Sequence, residues 1–171
     1  MSKLGAFDPY ALFEALDRER VSFVVVGGFA RVVHGSGETT RGLDIVPSLR
    51  EENLRRLARA LDALGATGVD NKPVQPAVLA SASPITAQTR AGELTVVPTP
   101  WGTRGYDDLR IRASRENLGR GVRPAVASMV DCVRMLDTSE RNIDAGRLQR
   151  LRRMMELERQ LAPRRRLSIE R

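Results

Sequence analysis

The stretch Val24–Pro47, VVVGGFARVVHGSGETTRGLDIVP, constrains this chain more than any other. A β-branched apolar run, Val21 to Val26, stops on Gly27-Gly28, which reads as a buried strand that must turn at once. Glycines at that turn let the backbone bend tightly and leave no side chain in the way of a ligand. Phe29 to Val33 resumes as a short helix, and His34-Gly35-Ser36-Gly37 ends it in a loop. Thr39-Thr40-Arg41 leads into a second apolar strand, Leu43 to Val46, closed by Pro47. That strand carries one carboxylate, Asp44. An unpaired buried carboxylate is costly, so Asp44 calls for a metal ion or for an ion pair with Arg41 or Arg31.

The remaining pattern supplies the frame. Asp8-Pro9 is a helix start, and Leu12, Phe13 and Leu16 put residues 9–19 on an amphipathic helix. Ser48 with Glu51 is a capping-box pattern; Leu54, Leu57, Leu61 and Leu64 follow at helical spacing, and Gly65 stands at the C-terminal cap. Residues 66–75 read as loop, and Val74 to Ala82 as a weak edge strand interrupted by proline. Ile85 to Thr89 and Leu94 to Val97 form a hairpin around Arg90-Ala91-Gly92-Glu93.

Trp101, between Pro100 and Gly102, reads as a packed loop anchor. A short helix over Tyr106 to Ala113 and a strand over Val122 to Val126 come next. Ser128 then caps a helix that turns Met129, Cys132, Val133 and Leu136 inward, which makes Cys132 a core residue rather than a nucleophile. Asp144 opens the last helix, with Leu148, Leu151, Met155 and Leu161 inward, Arg147, Arg150 and Arg153 outward, and Pro163 as its stop. The expected architecture is α/β (α+β): a small mixed sheet flanked by helices, with further helices at the C-terminus. Residues 1–143 form the main domain, and 144–171 a helix and basic tail packed on it.

With 171 residues, 42% apolar and 29% charged, the chain is long enough for one well-buried core. No apolar run approaches the roughly 20 residues of a membrane span, and the opening MSKLGAFDPY lacks a signal core, so a cytoplasmic protein with no membrane partner is expected. One Cys and one His exclude a Cys/His-rich zinc site. The formal charge of +7 is unevenly placed: residues 147–171 hold nine Arg against three Glu, so six of the seven charges belong there. Arg147, Arg150, Arg153, Arg164, Arg165 and Arg166 are therefore the candidate surface for RNA or for an acidic protein partner, set against the plainer reading of a solvated helix face.

Gly27-Gly28, Ala30, His34-Gly35 and Thr-x-x-Leu-Asp-Ile-Val-Pro from Thr40 to Pro47 together resemble the nucleotidyltransferase fold shared with DNA polymerase β. Within it they are most similar to the AbiEii-type toxin nucleotidyltransferases of toxin–antitoxin systems. Gln88-Thr89-Arg90 with Gly92-x-Leu94, Gly105-Tyr106-Asp107-Asp108-Leu109 and Val126-Ala127-Ser128 extend the resemblance over roughly residues 10–150. It implies that Gly27, Gly28, Arg41 and His34 face a nucleoside triphosphate, and that Mg²⁺ is held by carboxylates including Asp44. Read from its residues alone, His34 is instead a histidine bonded to a loop.

Nucleotidyl transfer is an in-line displacement at phosphorus, usually clamped by two metal ions and about three carboxylates. In the family two of these alternate along one strand, since a period of two aims both the same way. Here the first position is Gly42, and the third, expected after Leu94, is Thr95. Glu93 and Glu38 are the acids nearby that could substitute. The expectation is a divergent toxin-type relative, weak or inactive in catalysis, that binds nucleotide, RNA or a protein partner. The alternatives are an active metal-dependent transferase of NMP to tRNA or protein, and an interaction module whose Arg-faced helix docks an acidic, antitoxin-like partner.

Overall fold

Asp8 and Pro9 start the first helix as their chemistry demands. The Asp8 carboxylate accepts a hydrogen bond from the Ala11 N–H, and Pro9 occupies the first helical position of α1 (Pro9–Arg18). The structure, a computed structural model, describes residues 6–138 and 144–167, and only the backbone for Asp144 and 161–167. Leu12, Phe13 and Leu16 are buried, so the amphipathic stripe read from sequence is the face that packs.

The sheet has six strands: β1 (Phe23–Val26), β2 (Gly42–Pro47), β3 (Ile85–Thr89), β4 (Gly92–Val96), β5 (Ser114–Arg115) and β6 (Ala125–Val126), in the order β3-β4-β2-β1-β6-β5. β1 runs antiparallel to β2 and parallel to β6, β2 runs parallel to β4, and both edges are antiparallel pairs. The four β1 residues are all buried, as are Leu43, Ile45, Leu94 and Val96. β1, buried along its whole length, is the continuous apolar run that a strand covered on both faces needs. Around the sheet stand α2 (Gly27–Val33), α3 (Glu51–Ala63), α4 (Pro76–Leu79), α5 (Tyr106–Leu109), α6 (Met129–Asp137) and α7 (Asp144–Leu167). This is the small mixed α/β architecture expected from the sequence.

Several boundaries differ, each for a physical reason. No loop separates β1 from α2, because Gly27, at φ +68°, turns the corner and is itself the first helical residue. Ser48 does not cap α3. Its N–H bonds to the Ser22 carbonyl at 3.0 Å, prolonging the β1–β2 pairing, so the helix starts only at Glu51 with Arg50 as its uncapped N-cap. Val74 to Ala82 holds a one-turn helix rather than a strand, since Pro76 suits a helix start and cannot donate to a ladder.

The strand expected at Val122 to Val126 shrinks to Ala125–Val126. A turn bonds Val122 N–H to the Gly119 carbonyl, and an unforeseen partner, β5, pairs with what remains. Pro163 does not stop α7, whose backbone runs on to Leu167; an internal proline forfeits one hydrogen bond but does not forbid a helix. Leu151 of α7 is fully buried, with Leu148, Met154 and Met155 partly buried beside it, whereas Leu161 lies beyond the described side chains.

Leu151→Ala should cost about 2–5 kcal/mol, the usual loss for a fully buried leucine. Urea unfolding followed by circular dichroism reads it; a change near zero would mean α7 is not part of the packed core.

Candidate functional site

The ladder brings the candidate residues to one place. Val26 pairs with Asp44, so the Asp44 carboxylate stands where β1 turns into α2, directly over Gly27. A Cβ at Gly27 would collide with Asp44 Oδ2, so only glycine lets the carboxylate reach the helix start. Across the parallel pair, Asp44 pairs with Thr95 and Gly42 with Glu93. Because side chains alternate along a strand, positions 42, 44, 93 and 95 all face the same side.

Those four positions carry little acid that is free to converge. Thr95 Oγ1 lies 3.0 Å from Thr86 Oγ1, a cross-strand hydroxyl pair. Glu93 is exposed and accepts a hydrogen bond from Gln88 Nε2 at 2.9 Å. Gly42 has no room for a side chain: a Cβ there would sit 2.9 Å from the Glu93 carbonyl oxygen, a backbone atom that cannot step aside cheaply. Among the described residues no three His, Cys, Asp or Glu side chains stand together so as to hold a metal ion. The donor set around Asp44 therefore does not fit a two-metal clamp.

Glu38 is held in a cluster that sequence spacing did not announce. Arg31 donates to both its oxygens, Nε to Oε2 at 2.7 Å and Nη2 to Oε1 at 3.0 Å, while Ser36 donates its hydroxyl at 2.9 Å. Both ion-pair side chains are about nine-tenths buried, at 9% and 10% exposure. Burial works against ionisation of Glu38, but the hydrogen bonds of Arg31 and Ser36 and the charges of Arg31 and Arg147 outweigh it, holding the carboxyl below its ordinary value.

Arg147, expected on the outer face of the last helix, lies instead 3.3 Å from Glu38 Oε1 and is largely covered. The inward turn of α7 at Leu151 carries its neighbour along. Arg150 and Arg153 are exposed as expected, while the side chains of Arg164, Arg165 and Arg166 fall outside the described residues.

His34 donates its Nε2–H to the Ala127 carbonyl at 2.8 Å, in keeping with a histidine bonded to a loop. Arg41 is exposed at the start of β2, and Gly28 is half-buried under Thr40 and Arg31. Val126-Ala127-Ser128 works as scaffold: Ala127 receives His34, and Ser128 Oγ caps α6 by accepting from Asp131 N–H. Asp108 links α5 to α6, accepting from the Arg104 N–H and from Arg134. The backbone N–H of Arg104, more than its burial opposes, keeps that carboxyl below the ordinary range.

A cleft of about 110 Å³ lies over Asp44 and Gly27, bordered by Arg31, Trp101, Cys132 and Leu136. Trp101 is 55% exposed on its rim, not the packed anchor expected, because the Pro100–Thr103 turn holds the loop without it. Cys132 is core as expected; burial pushes its thiol up to about 12, so it is no nucleophile at neutral pH.

No protein-family model matches the chain, and no curated protein matches it. Solved structures do. The antibiotic-resistance factor ANT(2'')-Ia in solution is 14% identical, with a TM-score of 0.54 over 95% of this chain and 92% of that one. The lincosamide antibiotic adenylyltransferase LnuA, lincomycin-bound, is 14% identical, with a TM-score of 0.58 over 88% of this chain and 99% of that one. ANT(2'')-Ia in complex with adenylyl-2''-tobramycin is 12% identical, with a TM-score of 0.54 over 91% and 95%. The chain has the nucleotidyltransferase fold. In this fold Asp44 stands on β2 over the Gly27 corner, with Gly42 two residues before it and Thr95 as its cross-strand partner.

Two outcomes follow from the site geometry. Gly42→Ala should destabilise by about 1–3 kcal/mol, the range for overpacking, in denaturant unfolding. Glu38→Gln should remove a stabilisation tied to ionisation. Since the folded carboxyl sits below its ordinary value of 4.5, that stabilisation is full above 4.5 and fades as pH falls through the folded value. The gap in melting temperature between wild type and Glu38→Gln should accordingly narrow below that pH, and a gap that widened on acidification would contradict the assignment.

Proposed function

We propose that this protein is a divergent nucleotidyltransferase-fold member of the AbiEii toxin kind that binds a nucleotide over Asp44 but transfers it weakly or not at all. The observation that carries this reading is the register of β2 on β4. It sets Asp44 beside the paired hydroxyl of Thr95 and sets Gly42 against the Glu93 backbone, leaving Asp44 without the flanking acids a two-metal clamp needs. The nucleotide side rests on the glycine corner under Asp44, on the adjoining cleft with its exposed Trp101, and on the adenylyl chemistry named for the structural relatives. The toxin–antitoxin setting rests on the sequence motifs from Gly27 to Pro47. On this reading the exposed Arg150 and Arg153 offer an RNA strand or an acidic protein partner a surface on α7.

One observation favours the alternative of an active, Mg²⁺-dependent transferase acting on tRNA or protein. Glu93 is the cross-strand partner of Gly42 and shares the face of Asp44, so it brings a carboxylate to a strand next to the vacant position, roughly 5 Å away between backbones.

The test is a titration of nucleoside triphosphate with Mg²⁺ and with EDTA, run beside a transfer assay with labelled nucleotide. The proposal expects similar affinity in both buffers and turnover far below the ~1–10³ s⁻¹ of ordinary enzymes. Transfer in that range, abolished by Asp44→Asn and by Glu93→Gln, would establish the alternative.

A further inference from the structure

Ser48 looks in sequence like a helix-capping serine, and the structure leaves it without that job. Its backbone is held on both sides: the N–H bonds to the Ser22 carbonyl at 3.0 Å, and its carbonyl accepts from Asn53 Nδ2 at 2.8 Å. The residue is only 9% exposed, yet its hydroxyl makes no hydrogen bond among the described residues. It lines a cavity of about 350 Å³ that opens on the first turn of α3. α3 is 13 residues long, and no side chain caps its N-terminus. A hydroxyl without a protein partner, on a residue nine-tenths covered and beside helical N–H groups that no side chain caps, is a donor set open to an anion.

The same cavity gathers Arg50, Arg56 and Arg110 with Ser22 and Tyr106. Arg50 is exposed and forms no ion pair among the described residues. Arg56 and Arg110 each hold a carboxylate, Glu52 at 3.3 Å and Asp107 at 3.0 Å, in pairs more than a third exposed. Such pairs are weak, and each guanidinium keeps further N–H donors for another acceptor. A second cavity of about 440 Å³ shares Ser22, Tyr106 and Arg110 and adds Arg20 and Arg115. Its one acid is Asp17, whose carboxyl is raised by burial against the pull of Arg115.

We propose that this groove, between the start of α3 and α5, is a phosphate-binding site, separate from the Asp44 face. Ser48, Arg50 and the α3 N-terminus grip one phosphate group, and Arg20 and Arg115 meet the charge beyond it. The ligand is a phosphate ester, either of a free nucleotide or of an RNA backbone. The site stands at the opposite end of β1 from Gly27, so it does not depend on the nucleotide reading of Asp44.

Inorganic phosphate, titrated against chloride at equal ionic strength, should bind saturably and raise the melting temperature. Ser48→Ala should leave the phosphate-free melting temperature unchanged, since the hydroxyl has no partner to lose. It should weaken phosphate binding about tenfold, the usual worth of a charge-assisted hydrogen bond, and Arg50→Ala should do the same. Asp44→Asn should bind phosphate as wild type does.

The source of the phosphate is read from AMP and a short single-stranded oligouridylate, each compared in wild type and Ser48→Ala. Tighter RNA binding that Arg115→Ala weakens assigns the groove to nucleic acid, and equal binding assigns it to free nucleotide. Phosphate acting no differently from chloride, or binding unchanged in both Ser48→Ala and Arg50→Ala, would overturn the proposal.

Discussion

Asp44 and Gly27 meet because β1 runs into α2 with no connecting loop. A strand that ends in a helix must change direction within one residue, and the positive φ of Gly27 provides that change. Since Val26 is the ladder partner of Asp44, the corner falls under the carboxylate, and the missing Cβ becomes the space it occupies. Register, corner and carboxylate thus form one constraint. Moving β2 by a residue would turn Asp44 to the other face of the sheet and take the site with it.

A second constraint fastens the surrounding loop. Glu38 draws Arg31 from α2, Ser36 from its own loop and Arg147 from α7 into one nearly buried cluster. Removing one partner of a buried pair costs about 3–5 kcal/mol, because the other charge is left uncompensated. The loop between α2 and β2 is therefore tied to the C-terminal helix, and Met154 of α7 packs against Gly35 in the same place. Asp131, fully buried between Arg112 and Arg134, does similar work where α6 meets the segment that follows α5.

Much of this was legible in sequence wherever the signal was local. The apolar run before Gly27-Gly28, the leucine spacing of α3, the caps at Asp8 and Ser128 and the hairpin around Ala91 each occupy a few consecutive residues. The fold class followed from their order. The contacts that decide the site were not legible, because they join distant parts of the chain. Nothing near Glu38 announces Arg147, and the hydroxyl pair of Thr95 with Thr86 requires the hairpin register. Ser48 misled for a related reason: a long-range bond to Ser22 overrode the local capping pattern. Trp101 did too, since a proline-rich loop can hold its shape by backbone bonds and leave the ring outside.

The packing of Gly42 against the Glu93 carbonyl has a consequence for the history of such a chain. An aspartate at position 42 would carry a structural cost, because β2 and β4 would first have to part. A glycine there lets two strands settle closely, and the settled strands exclude a side chain. The position behaves as a ratchet. Substitution away from glycine waits on compensating changes elsewhere in the sheet.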